Sequence, residues 1–272
     1  MVGPRQTGRM RFAVSCPNVG DPARPVSLAV TAEAAGWDGF LLWDHLHLVR
    51  GAALELHDPW VLLGAVAHAT STIRLGALVT PLARRRPWKL AKEITTLDHL
   101  SAGRVVVGVG LGWPADDDFA AFGDPADDRQ RAAVYDEALE VLDALLRDGH
   151  VRHDGDAFHV DADFHPAPVQ RPRPPIWVAA MSGRKPLARA AHYDGLAPVS
   201  PIGGPMSPTD VAAVIAALPP HAEPYDVVVP WDDAFPVDAY AAVGTTWLTE
   251  SRWPAGDWLD DLSARVARGP TR

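Results

Sequence analysis

Short apolar runs recur eight times along the chain, each closing on polar, glycine or tryptophan residues and each followed by a stretch with helical spacing. The runs are Arg11 to Cys16, Gly39 to Trp43, Ile73 to Val79, Arg104 to Gly110, Ile176 to Ala180, Gly195 to Val199, Tyr225 to Val229 and Thr245 to Leu248. They hold few charges and do not alternate, as expected of parallel strands covered on both faces. Between them, Pro25 to Gly36 is alanine-rich and stops at a glycine, and Asp58-Pro59 reads as an N-cap with proline at the first helical position. Arg129 to Arg147 sets Ala133, Leu139, Leu142, Leu145 and Leu146 on one side. Strand then helix, repeated in this way, predicts an α/β fold of the (β/α)8 TIM-barrel class, with one closed parallel sheet of eight strands and right-handed crossovers.

One connection is too long for this rhythm. His150 to Pro175 separates the fourth helix from the fifth strand, and Val151 to Val160 reads as a hairpin around Asp154-Gly155. An insertion of this length either covers the barrel mouth or runs as an ordered surface excursion. The length of 272 residues suits one barrel domain over residues 11–272, with the polar residues 1–10 read as a disordered leader. No apolar run is long enough to span a bilayer, no secretory signal precedes the first strand, and the lone Cys16 permits no internal disulfide. A cytoplasmic protein is therefore expected. The net charge of -9 argues against nucleic-acid binding, which calls for a basic face.

In a barrel of this class the chemistry sits on loops at the carboxyl ends of the strands. Those ends read Trp43-Asp44-His45 after the second strand, Thr80-Pro81 leading to Arg84-Arg85-Arg86 after the third, and Gly110-Leu111-Gly112-Trp113 after the fourth. The fifth ends in Met181-Ser182-Gly183-Arg184-Lys185, the seventh in Trp231-Asp232-Asp233 and the eighth in Glu250-Ser251-Arg252-Trp253. Basic, glycine and aromatic groups thus converge on one rim, a layout that suits a flat aromatic cofactor with an anionic tail. At Ser182-Gly183 a helix should begin, so free N–H groups and the positive end of the helix dipole would face an anion, with Arg184 and Lys185 adding charge. The same pair also reads as a plain cap and turn. Gly110 and Gly112 either admit a ligand close to the backbone or serve a tight turn.

His45 either exchanges a proton or holds a cofactor atom near neutral pH, or it is satisfied by Asp44 and backbone. His45-x-His47 also suggests the ligands of a zinc hydrolase barrel, but the third and fourth ligands are missing from the strand ends, so no metal site is expected. A metal-dependent barrel hydrolase stays as a second class of function. The acidic stretches Asp116 to Asp118 and Asp124 to Asp128 read as a solvated loop and a cap ahead of the fourth helix.

Several fragments then fall into a shared order: Ile73-Arg74-Leu75-Gly76 through Thr80-Pro81, Arg86-Pro87 through Lys92, Thr96-Leu97-Asp98-His99-Leu100-Ser101-Ala102-Gly103-Arg104, and Gly108-Val109-Gly110-Leu111-Gly112-Trp113. With Asp44-His45-Leu46, Asp58-Pro59-Trp60, Phe122-Gly123 and Pro168 through Val178, they make Met10 to Gly195 resemble the bacterial luciferase-like flavin-dependent oxidoreductases. The resemblance implies a barrel that binds reduced FMN or the deazaflavin coenzyme F420 at its carboxyl face. It implies either hydride exchange with a small organic substrate or monooxygenation by reduced FMN and oxygen.

The resemblance also places a non-prolyl cis peptide at about Leu78-Val79, beside Thr80, to buttress the ring, and the cofactor phosphate at Met181 to Lys185. Asp44, Gly110 and Gly112 complete the cofactor-binding set. The catalytic set is His45, Trp113, Glu250 and Arg252. His45 supplies a proton or hydrogen bond, Glu250 or Arg252 a polar handle on substrate, and Trp113 an apolar wall together with Trp43, Trp231 and Trp253. Some deazaflavin-dependent sugar-phosphate dehydrogenases resembling this chain carry an acid where Trp113 stands, which puts that substrate class in doubt. Expected partners are a flavin or F420 reductase and a second copy in a homodimer, docked through the helix region of Trp60 and Trp88. Some relatives keep the barrel and lose the chemistry, so a non-catalytic flavin-binding barrel is the third class.

Overall fold

The computed structural model describes residues 9–200 and 204–270. In chain order the first half runs β1 (Arg11–Cys16), α1 (Ala23–Ala34), β2 (Gly39–Leu42), α2 (Pro59–Ala69), β3 (Arg74–Ala77), β4 (Thr80–Pro81), α3 (Pro87–Leu100), β5 (Val107–Gly110), α4 (Ala115–Asp118) and α5 (Asp128–Asp148). The second half runs β6 (His150–Asp154), β7 (His159–Asp163), β8 (Ile176–Ala180), α6 (Arg184–Ala191), β9 (Gly195–Pro198), α7 (Pro208–Ala217), β10 (Asp226–Pro230), α8 (Val237–Ala242), β11 (Trp247–Glu250) and α9 (Trp258–Ala267).

Nine strands form one sheet in the order β3-β2-β1-β11-β10-β9-β8-β5-β4, every pairing parallel. The ring closes because β3 and β4 are two halves of one stave. Leu75 donates its N–H to Arg104 O at 3.2 Å and accepts from Val106 N at 2.9 Å, while Thr80 and Pro81 pair with Val109 and Gly110. The molecule is thus a (β/α)8 TIM barrel, as the repeat predicted. Between the bridge Leu75↔Val105 and the pair Thr80↔Val109 one residue more is consumed on the third stave than on β5, the signature of a bulge. The extra residue falls at Leu78-Val79, whose peptide bond is cis. An unbroken third strand was expected from sequence; the bulge divides it.

Two apolar layers hold the barrel together. The outer one lies between staves and helices and draws on residues such as Phe40, Leu63, Ile94, Leu142 and Val229. The inner one fills the barrel itself with Ala13, Leu41, Val106, Trp177, Ala197, Val228 and Trp247. Its lower half is occupied by two indoles with centroids 5.3 Å apart, Trp177 and Trp247. Room for them comes from missing side chains: a Cβ on Gly195 would lie 2.7 Å from Trp177 Cδ1, and one on Gly39 3.2 Å from the Trp247 ring. Beneath them the Arg11 guanidinium stacks on Trp247 at 4.4 Å and pairs with Asp226, which also accepts from Trp177 Nε1 at 3.1 Å. The amino-terminal end of the barrel is therefore closed by side chains. Above this plug the staves carry smaller residues, among them Ser15, Gly110 and Ala179.

The helices start where their caps say they should. Asp58 accepts from Val61 N at 3.0 Å ahead of Pro59, and Asp127 from Arg129 N and Gln130 N ahead of α5. At the opposite end, Arg104 donates to the carbonyls of Ala67, Thr70, Ile73 and Ser101 at 2.8 to 3.0 Å, capping the carboxyl terminus of α2 and joining it to α3.

The long connection forms the antiparallel hairpin β6–β7. Its turn is gathered by Glu137 of α5, which accepts from the amides of Asp156, Ala157 and Phe158 at 3.0 to 3.2 Å. Phe158 meets Trp88 of α3 edge-on at 5.9 Å, and on the way back Gln170 donates twice to Asp98 of α3. The hairpin and its return thus lie along α3 and α5. Trp60, expected on a docking surface, is instead only 5% exposed and donates Nε1 to Thr80 Oγ1 at 3.2 Å, because it sits on the inner face of α2. At the amino end, residues 1–8 of the expected leader lie outside the described residues; Arg9 pairs with Asp38, and Met10 packs on the outer apolar layer. Among the described residues no helix is long and apolar enough to cross a membrane.

Candidate functional site

The barrel mouth is built from the strand ends upward. After β2 the chain keeps its pairing for one more residue, with Trp43 N donating to Cys16 O at 3.0 Å. Strand alternation then turns the Trp43 side chain inward, like Leu41 before it. Its Nε1 donates to Ser15 Oγ at 3.0 Å, which fixes the indole plane. Trp253, 51% exposed, leans on it with ring centroids 5.8 Å apart, and the His45 ring stands edge-on to it at 5.9 Å. Trp43 and Trp253 therefore make one aromatic wall, with His45 at its edge. Trp113, 63% exposed, projects from the loop after β5. Trp231 belongs elsewhere: it packs on Phe12 at 6.3 Å and under Arg265, on the outer side of the sheet.

Beside this wall lies a buried ionic network. Asp44, 2% exposed, has its Oδ1 between Arg84 Nη2 at 3.1 Å and Arg85 Nη2 at 2.8 Å. Arg84 also reaches Asp118 Oδ2 at 3.4 Å. Asp118 is fully buried. Its Oδ1 accepts from the amides of Leu46 at 2.7 Å and His47 at 3.1 Å, and its Oδ2 faces His45 Nδ1 at 3.3 Å. Burial alone would raise the Asp118 carboxyl, but His45, Arg84 and the two amides outweigh it and hold it below the ordinary carboxylate value. Arg85 is shifted the other way, upward: burial works against its charge, and Asp44 overcomes it. Asp118 lies in the acidic stretch expected to be solvated; it is instead the anchor of the His45 loop. No local signal marks it, because its partners lie about 70 residues away in sequence.

Across the mouth, β5 ends so close to the bulged stave that a Cβ on Gly110 would come within 2.6 Å of Val79 and 3.3 Å of the Ala179 Cβ. Gly112 has φ +88, and a Cβ there would press on Phe119 and Pro81 at 2.6 to 2.8 Å, so it serves a tight turn. Thr80 is fully buried under Trp60. Leu78 and Val79 are partly exposed, and Leu78 borders the inner layer.

The loop after β8 carries Met181, 48% exposed, and then Ser182, Gly183, Arg184 and Lys185, all exposed. Helix α6 starts at Arg184 with no side chain capping it, so its first amides and dipole are open to an anion. No ion pair of Arg184 or Lys185 occurs among the described residues. An uncapped helix start with two unspent cations at the carboxyl end of a barrel fits a phosphate-bearing cofactor.

On the β11 loop the two predicted polar handles are spent on each other. Glu250, 6% exposed, accepts from Arg252 and from Arg265 Nε at 3.2 Å, tying β11 to α9. Arg252 keeps part of its guanidinium in solvent. Among the described residues no group of three or more metal-ligating side chains comes together.

Residues 10–217 match the family described as luciferase-like monooxygenase. A Mycobacterium bovis protein described as uncharacterized is 36% identical over 178 residues, covering 59% of this chain and 62% of the relative. An F420-dependent glucose-6-phosphate dehydrogenase of Segniliparus rotundus is 30% identical over 179 residues, covering 64% of this chain and 52% of the relative. The chain thus spans less than two thirds of either. Among solved structures, the coenzyme F420 dependent tetrahydromethanopterin reductase from Methanopyrus kandleri shares the fold with a TM-score of 0.77 at 16% identity, covering 96% of this chain and 99% of that one.

Proposed function

The chain belongs to the luciferase-like monooxygenase family, and from that premise we propose that it is an oxidoreductase using FMN or coenzyme F420 on a small organic substrate. The observation that carries this reading is the uncapped start of α6, where Ser182, Gly183, Arg184 and Lys185 face solvent at the carboxyl end of the barrel. Ser182, the α6 amides, Arg184 and Lys185 would hold the phosphate, and Leu78 and Val79 would back the ring. When bound, the flavin or deazaflavin ring supplies or accepts a hydride. His45 holds the proton that balances it. Trp43 and Trp253 offer substrate a dry aromatic face, Trp113 extends that face, and the part of Arg252 left in solvent is a polar group within the β11 loop. An aromatic wall of this kind favours an apolar substrate over a sugar phosphate.

The test is titration of the cofactor-free protein with FMN and with F420, oxidised and reduced, followed by absorbance. Saturable binding of one of them supports the reading; binding of neither removes it. Oxygen consumption during turnover then separates monooxygenation from hydride exchange. A reductase supplies the reduced cofactor in the first case. Val61 and Leu100, both exposed, flank a groove of 260 Å³ between α2 and α3, and a second copy of the chain is the partner proposed for it.

A further inference from the structure

Asp118 is a carboxylate with no exposure and four donors around it: two backbone amides, the Arg84 guanidinium and the nearest ring nitrogen of His45. An ionised carboxylate accepts and cannot donate, so each group facing it must bring a proton. Two of those donors are fixed amides and the third is a permanent cation. The fourth, His45 Nδ1 at 3.3 Å, is the only one whose proton is optional. In a neutral imidazole a proton on Nδ1 leaves Nε2 as a bare lone pair. His45 Nε2 has no partner among the described residues, and 17% of the side chain reaches solvent. The ring cannot swing freely, because its edge meets the Trp43 indole, itself pinned to Ser15.

We infer that Asp118 is the positioning residue of His45: it keeps the proton on Nδ1 and leaves Nε2 as the nitrogen that takes or gives the substrate's proton. The catalytic half of this statement rests on the function proposed above; the tautomer does not. Asp118 touches neither substrate nor cofactor. It acts through the ring, by the same logic that orients a histidine in a carboxylate–imidazole pair.

The variant that isolates this role is Asp118→Asn. Its side-chain oxygen still accepts from Leu46 and His47, but its NH2 now points at His45 Nδ1 and moves the ring proton to Nε2. Nitrogen-15 NMR of histidine-labelled protein, without cofactor and with His45→Gln to assign the signal, should show the Nδ1–H tautomer in the unaltered chain and the Nε2–H tautomer in Asp118→Asn. An Nε2–H ring in the unaltered chain, or a tautomer indifferent to Asp118→Asn, overturns the inference. Should the variant not fold, the unaltered chain's spectrum decides alone. With a turned-over substrate, kcat of Asp118→Asn should fall about a hundredfold or more while KM stays within about threefold, a split that loosened packing would not give. A chain that binds neither FMN nor F420 sinks the proposed function and leaves the tautomer result standing.

Discussion

The side chains at the mouth divide by how they spend their polar groups. Trp43 gives its N–H to Ser15 and Glu250 gives its carboxylate to two arginines, so both act as framework. His45, Arg184 and Lys185 keep an unspent group. His45→Ala should therefore lower kcat by about a hundredfold, as loss of a general acid or base does, while cofactor affinity by absorbance titration changes little. Arg184→Ala with Lys185→Ala should weaken FMN or F420 by about tenfold to a hundredfold, two charge-assisted contacts being lost, and leave a phosphate-free riboflavin analogue unaffected. Equal loss for both ligands would take the phosphate away from α6. Cys16 is the opposite case: burial pushes its thiol up to about 12, so native protein should resist maleimide at pH 8 and react only once unfolded. The strand-end residues were legible because the barrel repeat says where to look. Asp118 was not: an aspartate in an acidic run looks solvated until residues far along the chain close over it.

Among the elements, the eight staves and the caps of α2 and α5 follow from apolar runs and local turn chemistry, which is why they could be read from sequence. The bulge at Leu78-Val79 and the four-residue α4 could not, since both depend on what the neighbouring stave or loop demands. Part of the shared sequence signature proves to be framework as well: Arg104 caps α2, and Asp98 holds Gln170 of the returning insertion. Gly195→Ala would drive a methyl into Trp177 and the Asp226 carbonyl and should cost about 1–3 kcal/mol by denaturant unfolding, the usual penalty of overpacking. The hairpin carries its own pH response. Burial works to raise the Glu137 carboxyl, yet the amides of Ala157 and Phe158 and the His153 ring hold it below its ordinary value. A depressed folded-state value means stabilisation that is present above the ordinary carboxylate range and lost as pH falls through the lowered one. Hydrogen-exchange protection of Ala157 and Phe158 should accordingly drop on acidification while the staves hold, and Glu137→Gln should remove that pH dependence.

For the whole molecule, a ring of parallel staves joined across the Leu75–Val105 bridge leaves few free sheet edges, and the outer helices decide how copies meet. If the α2–α3 groove seats a second copy, Val61→Asp should convert the dimer to monomer by sedimentation without altering cofactor titration. Sequence placed this region correctly among the helices but misassigned Trp60, because a tryptophan two residues past a cap can face either way and only the Thr80 hydroxyl beneath decides it. The stacked indoles of Trp177 and Trp247, bolted from below by Arg11 and Asp226, turn the barrel into a cup with a single doorway. A guest seated on the floor of such a cup would have to enter before any companion and leave after it, so compulsory ordering is the expected outcome of product-inhibition kinetics.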